Sequence, residues 1–249
     1  DWSSDVCSSD LKTQQKTLPP QLQDVIFISY DEPDADQNWE LLKQRCPRAQ
    51  RVHGVSGMET ALEAAANVST TPWYFAVFGK TELYPDFDFS FRPDYFQQPK
   101  HYIFYSINRV NKLVYGEMAV IMYNCNLILD NVGREFGLDY TMSFPHEVVP
   151  VISTYGNFNT SPYHTWRTAF REVSKLYDIQ AREPSVETDY RINVWETVAE
   201  GDYAEWALTG AKDGADFYKQ YENDFAYRKN SFSWEWLRNY FKERYGDIN

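Results

Sequence analysis

Acidic side chains follow apolar runs at three places where a strand end would offer them to a ligand. Asp31 and Glu32 come directly after the run VIFISY at residues 25–30. A carboxylate there can accept hydrogen bonds from ribose hydroxyls or a base edge. It serves equally as a turn and helix-start acid, with Pro33 beside it. Glu82, Asp86 and Asp88 follow the run WYFAVF at residues 73–78. Oxygen ligands of this kind hold Mn²⁺ or Mg²⁺ against a diphosphate, and a solvated acidic loop has the same composition. No close DxD stands at that strand end; FGKTE does, and Lys80 within it can neutralise phosphate as a point charge. Asp139 lies in GLDYT between hydrophobic neighbours, where a raised pKa would suit a base taking a proton from an acceptor hydroxyl. His146, next to Glu147, is the competing base.

Cations give a fourth pattern. Arg167, Arg171 and Lys175 recur at i, i+4 and i+8, one line along a helix. Such a line grips phosphates of a donor or of DNA, or it simply solvates a helix face. Residues 161–182 carry a net +2, whereas the stretches before and after them are negative.

The elements that must position these groups follow from periodicity. Residues 25–30, 51–55, 73–78, 101–106, 118–123 and 127–129 read as strands, and helices are expected near 36–46 and over 58–68. Strands and helices alternating in this way, with acids where strands end, predict an α/β sheet with its ligand site beyond the carboxyl ends. From residue 161 the period becomes helical: Trp166, Phe170, Val173 and Tyr177 form an apolar stripe. Helices are expected over 190–199, 203–211, 213–221 and 233–245. Residues 1–20 lack periodicity and end in Pro-Pro, and the segment SSDVCSSDL within them resembles a translated adapter sequence, so they are expected to be a loose or artefactual arm.

Composition narrows the function. The 249 residues carry 24 Lys and Arg against 36 Asp and Glu, a net charge of −12, which excludes a uniformly basic nucleic-acid glove but not a local patch. Three cysteines without CxxC spacing argue against a disulfide scaffold or metal knuckle. The four histidines are scattered, and HExxH, P-loop, GxGxxG and GxSxG motifs are absent. Aromatics reach 17%, which serves a ring-packed core or a stacking cleft. No apolar run is long enough to span a bilayer, so no membrane association is expected.

Four stretches, VIFISYDEPDADQNWELLKQRCPRAQRVHGVSGMETALEAA, WYFAVFGKTELYPDFDF, HYIFYSINRVNKLVYGEMAV and FNTSPYHTWRTAFREVSKL, resemble a family of tailed-phage proteins related to the GT-A glycosyltransferases and associated with DNA hypermodification. The resemblance runs over residues 24–241. It implies a GT-A-like, Rossmann-like mixed sheet flanked by helices, with a helix-rich C-terminal part, in a single domain over residues 21–249. It implies a nucleotide-sugar donor, UDP-linked, with Asp31, Glu32, His53 and Gly54 about its nucleoside, and Tyr115, Gly116 and Glu117 near its sugar. Glu82 falls where relatives carry their DxD metal motif, and Asp139 near the expected inverting base. The segment 158–166, with His164 and Trp166, would shape the cleft.

The expected activity is transfer of a sugar to a 5-hydroxymethylpyrimidine, 5-hydroxymethylcytosine first, in phage DNA within the infected host's cytoplasm, with no obligate protein partner. A transferase for a protein, lipid or saccharide, and an inactive nucleotide-sugar binder, are the alternatives.

Overall fold

In a computed structural model, which describes residues 22–32, 34–134 and 140–247, the alternation of the first strands sorts their side chains onto two faces. The elements run in chain order as β1 (Asp24–Ser29), α1 (Ala35–Arg45), β2 (Gln50–His53), α2 (Met58–Val68), β3 (Trp73–Phe78), β4 (Glu82–Leu83), β5 (His101–Asn108) and β6 (Val114–Asn124). Then come α3 (Cys125–Leu129), β7 (His146–Gly156), α4 (Pro162–Arg182), α5 (Val186–Thr197), α6 (Ala204–Gln220), α7 (Phe225–Arg228) and α8 (Trp234–Tyr245).

Among the described residues, seven strands form one sheet in the order β2-β1-β3-β6-β5-β7-β4. β2, β1 and β3 are parallel, β6 runs antiparallel to β3 and β5, and β7 is parallel to β5. This is a mixed α/β sheet flanked by helices, compatible with a Rossmann-like fold. Val25, Phe27, Phe75 and Val77 pack with α1 and with Phe87 and Phe89. Ile26, Ile28, Tyr74 and Ala76 pack with α2 and α3 on the other face. β3 is buried at all six residues, as a two-faced central strand requires.

The helices of the C-terminal part pack on the β5–β6 end through Val110, Leu113, Tyr115 and Phe158. α4 and α6 approach closely because Gly210 and Gly214 stand where side chains would meet the carbonyls of Trp166 and Phe170. Trp166, Phe170, Phe217, Leu237 and Phe241 make a second core, ringed by Trp206, Trp236, Tyr240 and Tyr245. Much of the aromatic surplus is therefore core.

Two expectations are corrected and one strand is added. Residues 127–129 are helix, not strand: the Asn124 side chain accepts the Leu127 N–H and caps α3. Residues 203–221, read as two helices, hold one continuous α6. β7, which carries no simple alternation, was not anticipated. The expected arm at residues 1–20 lies outside the described residues. Among the described residues, no helix is long and apolar enough to cross a membrane.

Candidate functional site

The carboxyl edge of the parallel strands is where this topology leaves a crevice. After β1 the chain goes to β2 on one side, and after β2 it returns to β3 on the other, so strand order reverses at β1. The loop after β3 is pinned there: the Gly79 N–H donates to the Ile28 carbonyl at 2.8 Å, and Asn38 Nδ2 donates to the Gly79 carbonyl at 2.8 Å. Thr81 Oγ1 donates to the Ala119 carbonyl at 3.2 Å. The chain turns at Gly79 and Lys80, where the Thr81 N–H donates to the Phe78 carbonyl at 2.8 Å.

Lys80 has an exposed side chain, yet its pKa is lowered, first by burial and then by Arg167 and Arg171, against the opposing pull of Glu117 and Glu32. Protein packed around an accessible ammonium removes part of its hydration and so disfavours its charged form. Glu117 faces it. Burial pushes the Glu117 carboxyl up, Lys80 opposes this, Glu172 adds to it, and Lys175 and a hydrogen bond from Ser106 oppose it.

The cations of α4 turn inward to the same place. Arg167 is 6% exposed, and its Nε and Nη1 have no hydrogen-bond partner. Its guanidinium carbon lies over the Trp234 ring, 3.4 Å from the centroid. Burial, then Arg171 and Arg238, brings its pKa down to about 10. Arg171 lies 5.1 Å from the Phe232 ring. His164, in the first turn, has its pKa lowered by burial, Arg167, Arg238 and Lys80, and its Nδ1 is 2.8 Å from Ser161 Oγ. The Ser161 side chain caps α4, and the positive end of that 21-residue helix adds to the field. Like charges gathered around a buried, unpartnered guanidinium are costly unless an anion shares them. The arrangement suits phosphate.

The expected residues divide accordingly. Lys80, Glu117, His164, Arg167 and Arg171 are linked by electrostatic influence on one another, and Lys175 acts on Glu117 while pairing with Glu172 at 2.7 Å. Glu32 accepts the Tyr30 N–H at 2.8 Å, and a Cβ on Gly79 would lie 2.6 Å from its Oε2. Asp31 is exposed in the loop after β1. His53 ends β2 with Nδ1 2.9 Å from Ser29 Oγ, and Gly54, at φ +75°, donates its N–H to the Ser29 carbonyl at 3.0 Å. These residues line the neighbouring stretch of the same edge.

Others are placed elsewhere. Trp166 is fully buried, its Nε1 donating to Asp213 at 2.8 Å, so it supports the core and does not line a cleft. Tyr115 is buried beneath the Arg191 guanidinium at 4.0 Å, and Gly116 is packed against Ile103 and Val148. Glu82 is held by Arg109 and Asn157, while Asp88 accepts the Ser90 N–H at 2.9 Å and Asp86 is exposed. Among the described residues, Glu82, Asp86 and Asp88 do not form a metal-holding group, nor do any other three His, Cys, Asp or Glu side chains. His146 begins β7 opposite His101, at the far end of β5 from Asn108 and Gly156; at 3.3 Å per residue that is about 23 Å along the strand. Its Nδ1 lies 2.8 Å from the Phe144 carbonyl oxygen. Asp139 lies outside the described residues.

Two contributors were missed, Trp234 and Arg238, spaced i, i+4 on α8; only tertiary packing brings them to α4. An open groove of about 460 Å³ on the helical part, lined by Glu196, Thr209, Lys212, Asp216 and Lys219, contains none of these residues. No protein-family model and no curated protein matches the chain.

Proposed function

We propose that the chain is a GT-A-like, nucleotide-sugar-dependent glycosyltransferase whose acceptor is a 5-hydroxymethylpyrimidine in phage DNA. One observation carries the donor half of this reading. Lys80, Arg167 and Arg171 converge beside the strand-order reversal, the position at which open α/β sheets take nucleotides. A diphosphate there supplies the anion that Arg167 lacks. As the sugar–phosphate bond breaks, negative charge grows on the departing diphosphate, and preorganised cations stabilise it. Asp31 and His53, further along the edge, receive the nucleoside. Asp139 remains the proposed base for the acceptor hydroxymethyl group, and a divalent ion would add to the charge that the three cations supply. The acceptor half rests on the resemblance of the four sequence stretches to phage proteins.

Isothermal titration with UDP tests the donor site. Wild-type protein should bind, and Lys80→Met should weaken binding by about 1.5–3 kcal/mol, roughly 10- to 150-fold, as expected for one charge-assisted contact. Equal affinity in the folded variant would remove the diphosphate from this crevice. A panel of nucleotide sugars assayed against hydroxymethylcytosine DNA, ordinary DNA, protein and saccharide then assigns the acceptor; transfer to an acceptor other than hydroxymethylated DNA would overturn the second half.

A further inference from the structure

Trp234 is the first residue of α8 and the N–H of Trp236 is capped by Ser233, so its backbone is fixed while its side chain projects. The residue is 58% exposed although one face of its ring covers the Arg167 guanidinium at 3.4 Å. A tryptophan packed on one face and still more than half exposed leaves its other face to solvent. Exposed indole is costly, and the helix core beneath has no need of it: Trp166, Phe170 and Phe241 already fill that core.

Its surroundings are cationic. Arg238 follows one turn later on α8 and lies 5.6 Å from the Tyr163 ring. Arg238 and Arg167 both bear on His164, as does Lys80. Electrostatic influence therefore runs from Glu32 through Lys80 and Arg167 to Arg238, and Trp234 covers the Arg167 end of that line. With the donor nucleoside at the β1–β2 end of that line, the α4–α8 end is left for the acceptor.

We propose that the outer face of Trp234 is a stacking platform for an extrahelical or single-stranded acceptor base, with Arg238 and His164 taking its flanking phosphates. A flat aromatic face flanked by cations suits a polynucleotide, because every base has a π-face and every linkage a charge. A target base inside a duplex must leave the stack to be reached, and such a platform would hold it. The inference rests on the acceptor half of the proposed function and names the residue that would receive the base.

The test is fluorescence anisotropy with two labelled single strands, identical except that one carries hydroxymethylcytosine and the other an abasic site at the same position. Wild-type protein should prefer the base-containing strand by about 5- to 100-fold, the range of one base–aromatic stack. Trp234→Ala should reduce that ratio to about one, and Trp234→Phe should keep most of it. If Trp234 only seats Arg167, the Ala variant will weaken both strands alike and leave the ratio unchanged, which would overturn the proposal. No preference in wild type would overturn it as well. UDP titration of the wild type runs beside these: absent UDP binding sinks the donor reading alone, because the base-to-abasic ratio is read without donor.

Discussion

Gly210 and Gly214 hold the cationic helix in place, and replacing Gly210 by alanine should reveal it. A Cβ on Gly210 would lie 2.9 Å from the carbonyl carbon and Cα of Trp166 and nearer still to the carbonyl oxygen. Restoring ordinary contact of about 3.5 Å demands about 1 Å of separation between α4 and α6. Backbone cannot rotate away as a side-chain tip does. Overpacking of this kind costs about 1–3 kcal/mol, and more where the obstacle is rigid, whereas alanine returns about 1 kcal/mol of helix propensity. The net loss expected for Gly210→Ala is about 2 kcal/mol, read in urea melts followed by circular dichroism, with a Tm drop of about 4–8 °C. Trp166 immediately precedes Arg167, so the same displacement moves the guanidinium. UDP affinity should therefore fall in a protein that is still folded. A Gly210→Ala variant as stable as wild type would refute the close-approach reasoning; lost stability with unchanged UDP affinity would show that α4 position and the anion site are independent.

Two further outcomes follow from single groups. Glu172 has a pKa below its ordinary 4.5: burial alone would raise it, but Lys175 and Arg191 overcome that. Its stabilisation is thus complete above the unfolded value and is lost as pH falls through the lower folded one. Glu172→Gln should be least stable relative to wild type at neutral pH, with the gap in urea melts closing below pH 4.5; a constant gap across pH would refute the ion-pair account. Asp31→Ala should weaken UDP-sugar binding by about 1.5–3 kcal/mol if Asp31 accepts a nucleoside hydrogen bond, and titration that returns wild-type affinity would take Asp31 out of the site.

Local signals made the sheet readable. WYFAVF, bounded by Pro72 and Gly79, became β3 to the residue, and the alanine-rich run over 58–68 became α2 because small side chains on one face suit a sheet. LIL at 127–129 deceived because three apolar residues fit helix or strand, and the deciding group was the Asn124 side chain, a cap and not a periodicity. The line Arg167, Arg171, Lys175 was visible at helical spacing, but its direction was not. Whether it met water or Lys80 depended on chain segments far apart in sequence. Trp166 shared that line's neighbourhood and went to the core, since one step along a helix turns a side chain by about 100°. For Glu82 the obstacle was again tertiary: its partners, Arg109 and Asn157, come from two other parts of the chain.

An acidic protein holding an anion is not a contradiction once distance is considered. The net charge of −12 is spread over the whole chain, and at physiological salt the Debye length is about 8 Å, so distant exposed carboxylates are largely screened from a ligand in the crevice. The groups that the ligand would meet are the cations Lys80, Arg167, Arg171 and Arg238 with His164, against Glu117 and Glu32. Their surroundings are desolvated, so their field is screened less than that of the surface. Glu117 then has a definite part. With the crevice empty, it faces Lys80 and offsets the repulsion among the cations; with a diphosphate present, the phosphate competes for the same ammonium. The sequence total counts every charge alike, while the proposed binding would be decided by the few charges that packing has turned inward.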